Sequence, residues 1–338
     1  MAHFLDGTSI LVTGGTGSFG QAFARHVLSS TKVGRLIIFS RDEWKQWEMR
    51  ESDPLFRQPN VRYFLGDVRD EKRLKLALQD VHYVVHAAAL KQVPAAEYNP
   101  TEFIKTNIEG AMNLTTAAME CGVEKVVGLS SDKAVNPINL YGATKLCSDK
   151  LLIAANSYVG KKGFPKFSVV RYGNVLGSRG SLLPFWKSLV EKGKKALPIT
   201  EKAMTRFWLT LDQSVDFVLM ALQEQHGGEI FVPKCPSVHI TDLAAILYPN
   251  MPLEVVGVRP GEKIHEILIS QDDAKNTYEF ATHYRIAPAF PFHKREDLEK
   301  ALKGSLGPVA DTFSLASNTN PQFLSRKDDI KKLLESFL

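Results

Sequence analysis

Cysteine is scarce in this chain. Cys121, Cys147 and Cys235 are the only three among 338 residues, far apart and with no C-x-x-C spacing. An odd, scattered set argues against a disulfide framework or a zinc site and fits a reducing cytoplasm. Long apolar runs are missing too: none reaches the roughly 18 residues of a membrane-spanning helix, so no membrane partner is expected. The opening Met1 to Gly7 lacks the basic segment and apolar core of a secretion signal. The expectation is a soluble cytoplasmic protein. Neither charge dominates, with 42 Lys and Arg against 37 Asp and Glu and a formal net charge of +5. The basic residues are interspersed with acids and form no stripe with aromatics. That excludes the usual footprint of a nucleic-acid binder and suits a small anionic ligand. The histidines, His86 and His265 included, show no metal-ligand spacing, and repeats and low-complexity tracts are absent.

What is present is ordinary globular composition, 44% hydrophobic and 23% charged, long enough for a large core. Short apolar runs at Ser9–Thr13, Arg35–Ser40, Val61–Leu65, Tyr83–His86, Lys125–Leu129 and Ser168–Tyr172 read as strands. Their near-continuous Val, Ile and Leu content suits strands covered on both faces. Helical segments alternate with them, for example Gln21–Ser29, Glu71–Leu78, Thr106–Cys121 and Gly142–Ser157. The pattern predicts an α/β fold, a Rossmann-type doubly wound parallel sheet. After about Val175 Gly and Pro punctuation becomes frequent. The expected division is a dinucleotide-binding domain over 1–175, with some later segments returning to it, and a smaller, mainly substrate-binding region over 176–338 at the carboxyl ends of the strands. The last forty or so residues carry too little periodicity for an assignment.

After the first strand comes Thr13-Gly-Gly-Thr-Gly-Ser-Phe-Gly20. Gly14 or Gly15, with Gly17 and Gly20, supplies the spacing of a turn that lets backbone approach a pyrophosphate at a helix N-terminus, with Thr16, Ser18 and Phe19 between them. The second strand ends Phe39-Ser-Arg-Asp-Glu43. Ser40 and Arg41 occupy the tip where an NAD binder carries an acid, and Asp42 and Glu43 follow. A hydroxyl and a guanidinium favour the 2′-phosphate of NADP. The alternative is a surface Arg41 with Asp42 turned toward the ribose. Asp67 and Val68, after the third strand, stand where an adenine would sit. Ala87, Ala88 and Ala89 leave room for a dinucleotide after the fourth, and Lys91 follows them.

Tyr141 and Lys145 lie four apart, so on a helix they share one face. A nearby ammonium lowers a tyrosine's proton affinity and equips it to deprotonate an alcohol as hydride leaves. Ser131 supplies a hydroxyl. Asp132 and Lys133 add an acid and an amine that alcohol oxidation alone does not need. As a base, Lys133 would have to be neutral, which calls for burial or a neighbouring cation such as Lys145 or Lys91.

The set TGGTGSFG, HAAALKQVP, SSDK, YGATK and RYGNVLGSRGS resembles the short-chain dehydrogenase/reductase superfamily, in its extended nucleotide-sugar-modifying branch. More closely, it resembles the inverting UDP-N-acetylglucosamine 4,6-dehydratases. The resemblance runs from Gly7 to about Phe323. It implies NADP held by the glycine loop, with Ser130, Tyr172 and Asn174 also near the cofactor. It implies transient oxidation at C4, removal of H5 by Lys133, and protonation of the departing 6-hydroxyl by Asp132. Retaining dehydratases carry Thr-Asp-Glu where this chain has Ser131-Asp132-Lys133, and the lysine matches the inverting branch. The ten-residue step from Ser131 to Tyr141 is short for extended members and agrees with that branch. Implied substrate contacts are Lys91, Gly173, Asn174, the loop Ser178, Arg179, Gly180, Ser181 and Leu182, then Thr205, Arg206, Arg259, Glu262 and Asn320. Arginine suits the diphosphate because its planar fork pairs bidentately with it. UDP-N-acetylglucosamine is the implied partner, in a homo-oligomer between dimer and hexamer.

Overall fold

The computed structural model describes residues 3–160, 163–290 and 299–335. Six parallel strands form its centre: β1 (Ser9–Thr13), β2 (Arg35–Ser40), β3 (Val61–Leu65), β4 (Tyr83–His86), β5 (Lys125–Leu129) and β6 (Lys166–Val170). Helices α1 (Ser18–Ser30), α2 (Glu43–Ser52), α3 (Glu71–Ala77), α4 (Val93–Tyr98), α5 (Pro100–Phe103), α6 (Gly110–Glu120) and α7 (Leu140–Ala154) fill the connections. The order β3-β2-β1-β4-β5-β6 reverses direction beside β1, so a crevice opens there at the carboxyl ends of the strands. Burial explains the apolar runs: Ile10, Leu11, Val12, Leu36, Ile38, Val84 and Val126 are wholly inaccessible, as strands covered on both faces require.

Beyond β6 the chain both extends this sheet and builds on it. The two-residue β7 (Asn174–Val175) leads to α8 (Leu182–Glu191), β8 (Leu197–Ile199), β9 (Thr205–Leu209) and α9 (Leu211–Glu224). Next come β10 (Ile230–Pro233), β11 (Ser237–His239), α10 (Ile240–Leu247), β12 (Leu253–Val255), β13 (Ile267–Ile269), β14 (Thr277–Glu279), β15 (His283–Ile286), β16 (Gly307–Pro308) and β17 (Leu315–Ala316). Strand β10 joins β6 in parallel, and β15, β14 and β16 follow antiparallel, giving ten strands among the described residues. The triplet β11-β9-β7 and the pairs β8-β12 and β13-β17 form small separate sheets. A second core gathers there around Trp186, Trp208, Leu183 and Leu243. The C-terminal helix Lys327–Leu334 seals it with Ile330 and Leu334. That helix and β16 give the tail, unassigned from sequence, its fold.

Boundaries differ from the sequence expectation for local reasons. Helix α1 starts at Ser18 because Gly17 already serves as its N-cap. Helix α7 starts at Leu140 because Asn139 caps it, accepting from the Gly142 N–H at 2.7 Å. The expected helix Thr106–Cys121 is entered through α5 and a π-turn over Ile104–Glu109. The sixth strand lies two residues earlier than expected, at Lys166–Val170.

The glycine turn is held by close backbone approach. Gly14 has φ +65°, and a side chain there would press on the backbone of Ala87 and Ala88. A Cβ on Gly20 would come within 2.5 Å of the Gly15 backbone. Gly20→Ala is therefore expected to push α1 off the turn, at a cost of about 1–3 kcal/mol typical of overpacking. Urea unfolding of the variant against wild type measures this.

Candidate active site

The carboxyl end of β5 delivers Ser130 and Ser131 into a single 3-10 turn, Asp132–Ala134, and the chain then enters α7. Helix α7 comes close to this turn because residue 142 is glycine; a Cβ there would strike the Lys133 carbonyl oxygen. The turn and the helix thus bring Ser131, Asp132, Lys133, Tyr141 and Lys145 together.

Asp132 is fully buried. Its Oδ1 accepts from the Ser131 hydroxyl at 2.9 Å and from Lys133 Nζ at 3.0 Å, while Oδ2 is buried without a hydrogen-bond partner. Lys133 Nζ also lies 3.3 Å from Oε1 of Glu266, which is 2% exposed. Here the sequence expectation needs correction. It called for burial or a neighbouring cation to make Lys133 neutral; burial, Lys91 and Arg206 do act on it, but the fold also sets two carboxylates there. Burial pulls the Lys133 ammonium toward neutrality, but Asp132 and Glu266 outweigh it and hold the group above the ordinary lysine range. The displaced amine is Lys91, whose affinity burial lowers first and the Lys133 charge lowers further.

Tyr141 also differs from expectation. Burial raises its phenol, opposed by the Lys133 charge and the Ser131 hydroxyl rather than by Lys145. Lys145 donates to the Leu129 carbonyl at 2.6 Å, and burial lowers its proton affinity while Asp149, one turn along α7, partly restores it. Asp149 in turn accepts from the Ser130 hydroxyl at 2.6 Å, and burial raises its carboxyl. Tyr172 is buried beside Tyr141, and burial raises it too. Behind them the Thr13 hydroxyl accepts from the Ala87 and Ala88 N–H groups at 3.1 Å. Its proton is then directed to His86 Nδ1 at 2.8 Å. Burial and the Lys145 charge push His86 down to about 3, so its ring is neutral.

The glycine turn opens α1 with Gly17 at the N-cap and no side chain accepting from the first turn. Uncapped amides over a glycine-rich cradle fit the pyrophosphate of a dinucleotide. Thr16 is buried, and Phe19 stacks on Phe23 at 5.9 Å. At the β2 tip Ser40 accepts from the Gln46 amide at 3.0 Å. Asp42 caps α2, accepting from the Lys45 N–H at 3.0 Å and pairing with its ammonium. Glu43 begins the first turn of that helix. Arg41 is half exposed, 3.8 Å from Asp67. Asp67 is bound mainly by Arg69, and Val68 is buried against Gly110.

The later loops close over this site. The Arg179 N–H donates to the Ser18 hydroxyl at 2.9 Å, tying the Ser178–Ser181 loop to the glycine turn. Gly180 lies against Gln92, and Leu182 begins α8 after Ser181, whose hydroxyl is buried without a partner. Gly173 packs tightly on Phe207, with Asn174 next in β7. Arg259 is exposed and grips Glu262 bidentately at 2.9 Å. Three substrate expectations are met differently. Thr205 is wholly buried, bonded to His265 and Ser317. Asn320 donates to Cys235 and Ser237 at 2.9 and 3.0 Å. Arg206 is buried, donating to the carbonyls of Thr205, Lys263 and Ile264. Their polar atoms are engaged by groups of the protein's own interior. Among the described residues no cluster of metal ligands occurs, and no helix is long and apolar enough to cross a membrane.

Residues 10–288 match the family model described as polysaccharide biosynthesis protein. The chain belongs to this family. An inverting UDP-N-acetylglucosamine 4,6-dehydratase of Campylobacter jejuni serotype O:23/36 is 52% identical over 336 residues, 98% of this chain and 99% of that relative. A UDP-glucose 4-epimerase of Rickettsia massiliae is 43% identical over 290 residues, 84% of this chain and 83% of the epimerase. Among solved structures, Pen from Bacillus thuringiensis superposes with a TM-score of 0.87 at 32% identity, covering 99% of both chains. The dTDP-glucose 4,6-dehydratase DesIV of Streptomyces venezuelae, with NAD and TYD bound, gives 0.68 at 24% identity over 76% of this chain and 87% of that one. The chain thus shares its fold with both of these proteins.

Two residues that hold the site escaped the motif reading. Glu266 is 133 residues from Lys133 and follows no pattern. Asn107, turned inward by the π-turn, bridges Leu90 N–H and C=O and the Thr144 hydroxyl at 2.8, 2.9 and 3.0 Å, pinning the β4 loop to α7. The interruption of helical periodicity before Gly110 was the only available signal for it. Asn107→Ala leaves those buried groups unpaired and is expected to cost about 1–3 kcal/mol, read by chemical denaturation.

Proposed function

We propose that this protein catalyses the inverting 4,6-dehydration of UDP-N-acetylglucosamine to UDP-2-acetamido-2,6-dideoxy-β-L-arabino-hexos-4-ulose. The observation that carries the reading is the pair of buried Asp132 and part-buried Lys133, 3.0 Å apart beside Tyr141, in a chain 52% identical to an enzyme of that name. An epimerase needs no such pair. A nicotinamide dinucleotide, when bound, accepts hydride from C4 and returns it to C6. Gly14, Thr16, Gly17, Ser18, Phe19 and Gly20 would hold its pyrophosphate. Ser40 and Arg41 would take a 2′-phosphate, because Asp42 is engaged at the α2 cap and is not free for a ribose diol. That favours NADP.

Tyr141 takes the 4-hydroxyl proton, with the Ser131 hydroxyl and the Lys133 charge favouring its phenolate. Once C4 is a ketone, H5 is acidic. One proton moved across the 3.0 Å contact turns the Asp132 carboxylate and Lys133 ammonium into a carboxylic acid and a free amine. Lys133 then removes H5, Asp132 protonates the departing 6-hydroxyl, and water leaves. Those two transfers restore the ion pair. Tyr141 then gives up its proton, by way of solvent, to C5 on the opposite face, which yields the inverted product and regenerates the phenolate. Lys91, Asn174 and the Ser178–Leu182 loop, with Arg259 and Glu262 beside them, are proposed to hold the UDP-sugar. Soluble, cytoplasmic assembly as a dimer to hexamer completes the reading, and sedimentation tests the assembly.

Incubation with UDP-N-acetylglucosamine in D₂O, without added cofactor, should yield a 4-keto-6-deoxy sugar deuterated at C5 with L-arabino couplings by proton NMR. A C4 epimer or a product retained at C5 would overturn the proposal. Lys133→Ala should keep its nucleotide and lose at least about 100-fold in turnover, the scale of a lost general base. Nucleotide released on denaturation should be NADP, and Arg41→Ala should weaken NADP relative to NAD in binding titrations.

A further inference from the structure

Asp132 and Lys133 can serve as acid and base only while they share one proton. With two protons the amine cannot take H5; with none the 6-hydroxyl has no donor. Something must keep that proton count over the working pH range. We infer that Glu266 is the positioning residue that does so, acting through Lys133: it fixes the amine and opposes loss of the proton it shares with Asp132. This inference rests on the dehydratase reading above.

The geometry is specific. Glu266 stands at the start of β13, and its Oε1 lies 3.3 Å from Lys133 Nζ. The same oxygen is 3.9 Å from Arg206 Nε. Arg206 cannot swing away, because three backbone carbonyls hold its guanidinium. The Glu266 backbone is fastened as well, its N–H donating to Ser317 Oγ at 3.0 Å and its carbonyl accepting from the Ser317 N–H at 2.8 Å. A carboxylate so fixed cannot follow Lys133 elsewhere, so it holds the amine where Asp132 can exchange a proton with it. Its Oε2 is buried without a hydrogen-bond partner, as is Asp132 Oδ2. Every ionisable group facing the pair enters the balance. They are Tyr141 from α7, Lys91 from the β4 loop, Arg206 from β9, Lys263 from the loop before β13 and the Cys235 thiol after β10, with Glu262 acting on Arg206 behind them. If the pair lost its proton, Asp132 and Glu266 would face each other as anions across a neutral amine in a buried site, and low polarity makes that repulsion strong. Glu266 therefore sets the alkaline limit of turnover.

The test is the pH dependence of kcat/KM for wild type, Glu266→Gln and Glu266→Asp, with bound nucleotide absorbance and thermal melting as checks of folding. The alkaline limb should fall to lower pH by one unit or more in Glu266→Gln. Glu266→Asp, which keeps the charge but draws it back by one methylene, should lie between. If Glu266→Gln does not fold, the position of the Glu266→Asp limb decides alone. An alkaline limb unmoved in the folded variants, whatever their kcat, overturns the inference and leaves the dehydratase reading standing. A wild type that forms no 4-keto-6-deoxy product removes both.

Discussion

One ammonium between two buried carboxylates organises the catalytic end of this molecule. Lys133 could not sit at the carboxyl end of β5 as an isolated charge, nor could Asp132 or Glu266, because desolvation costs several kcal/mol per ion. Each is tolerable only in the presence of the others, and Arg206 balances the extra anion. The cluster joins the 3-10 turn after β5 to β9 and β13. The two halves of the chain are therefore held in register by the same charges that are proposed to do the chemistry.

The surrounding architecture serves that arrangement. A doubly wound sheet ends several strands at one level, so Thr13, Ser40, His86 and Leu129 all present their following residues to one crevice. Contacts that cross it are backbone-based and short: Arg179 to Ser18, Lys263 to the Val135 carbonyl at 2.6 Å, and Asn139 to the Gly261 carbonyl at 2.7 Å. They draw the later loops onto the glycine turn and onto the entrance to α7. A nucleotide seated there would be enclosed by loops from both halves, which agrees with the proposal that it stays bound through the cycle.

Motifs were legible where chemistry depends on neighbours in sequence. The glycine turn needs residues without side chains at fixed intervals, and Tyr141 and Lys145 need one helical turn between them; both requirements act within a few residues and leave a visible spacing. The strands could be read because burial on both faces demands apolar residues without interruption. Side-chain partners could not be read in the same way. Arg206 beside aromatics resembles a phosphate ligand on paper, yet backbone carbonyls of residues 205, 263 and 264 take its donors. Asp42 looked available for a ribose until α2 claimed it as a cap. Such outcomes depend on which polar group arrives first within hydrogen-bond reach, and that is a property of packing.

By itself, then, the sequence determined the sheet, its glycine turn, the acid–amine pair and the tyrosine beside it, because each follows from local spacing and periodicity. Only the tertiary structure decided the charge state of Lys133. From sequence, a neutral lysine required burial or a cation nearby, and Lys91 and Lys145 were the candidate cations. Folding instead brought Glu266 across 133 residues to 3.3 Å and left Lys145 on the Leu129 carbonyl. Coulomb energy depends on distance in space, and no periodicity in the chain records that distance.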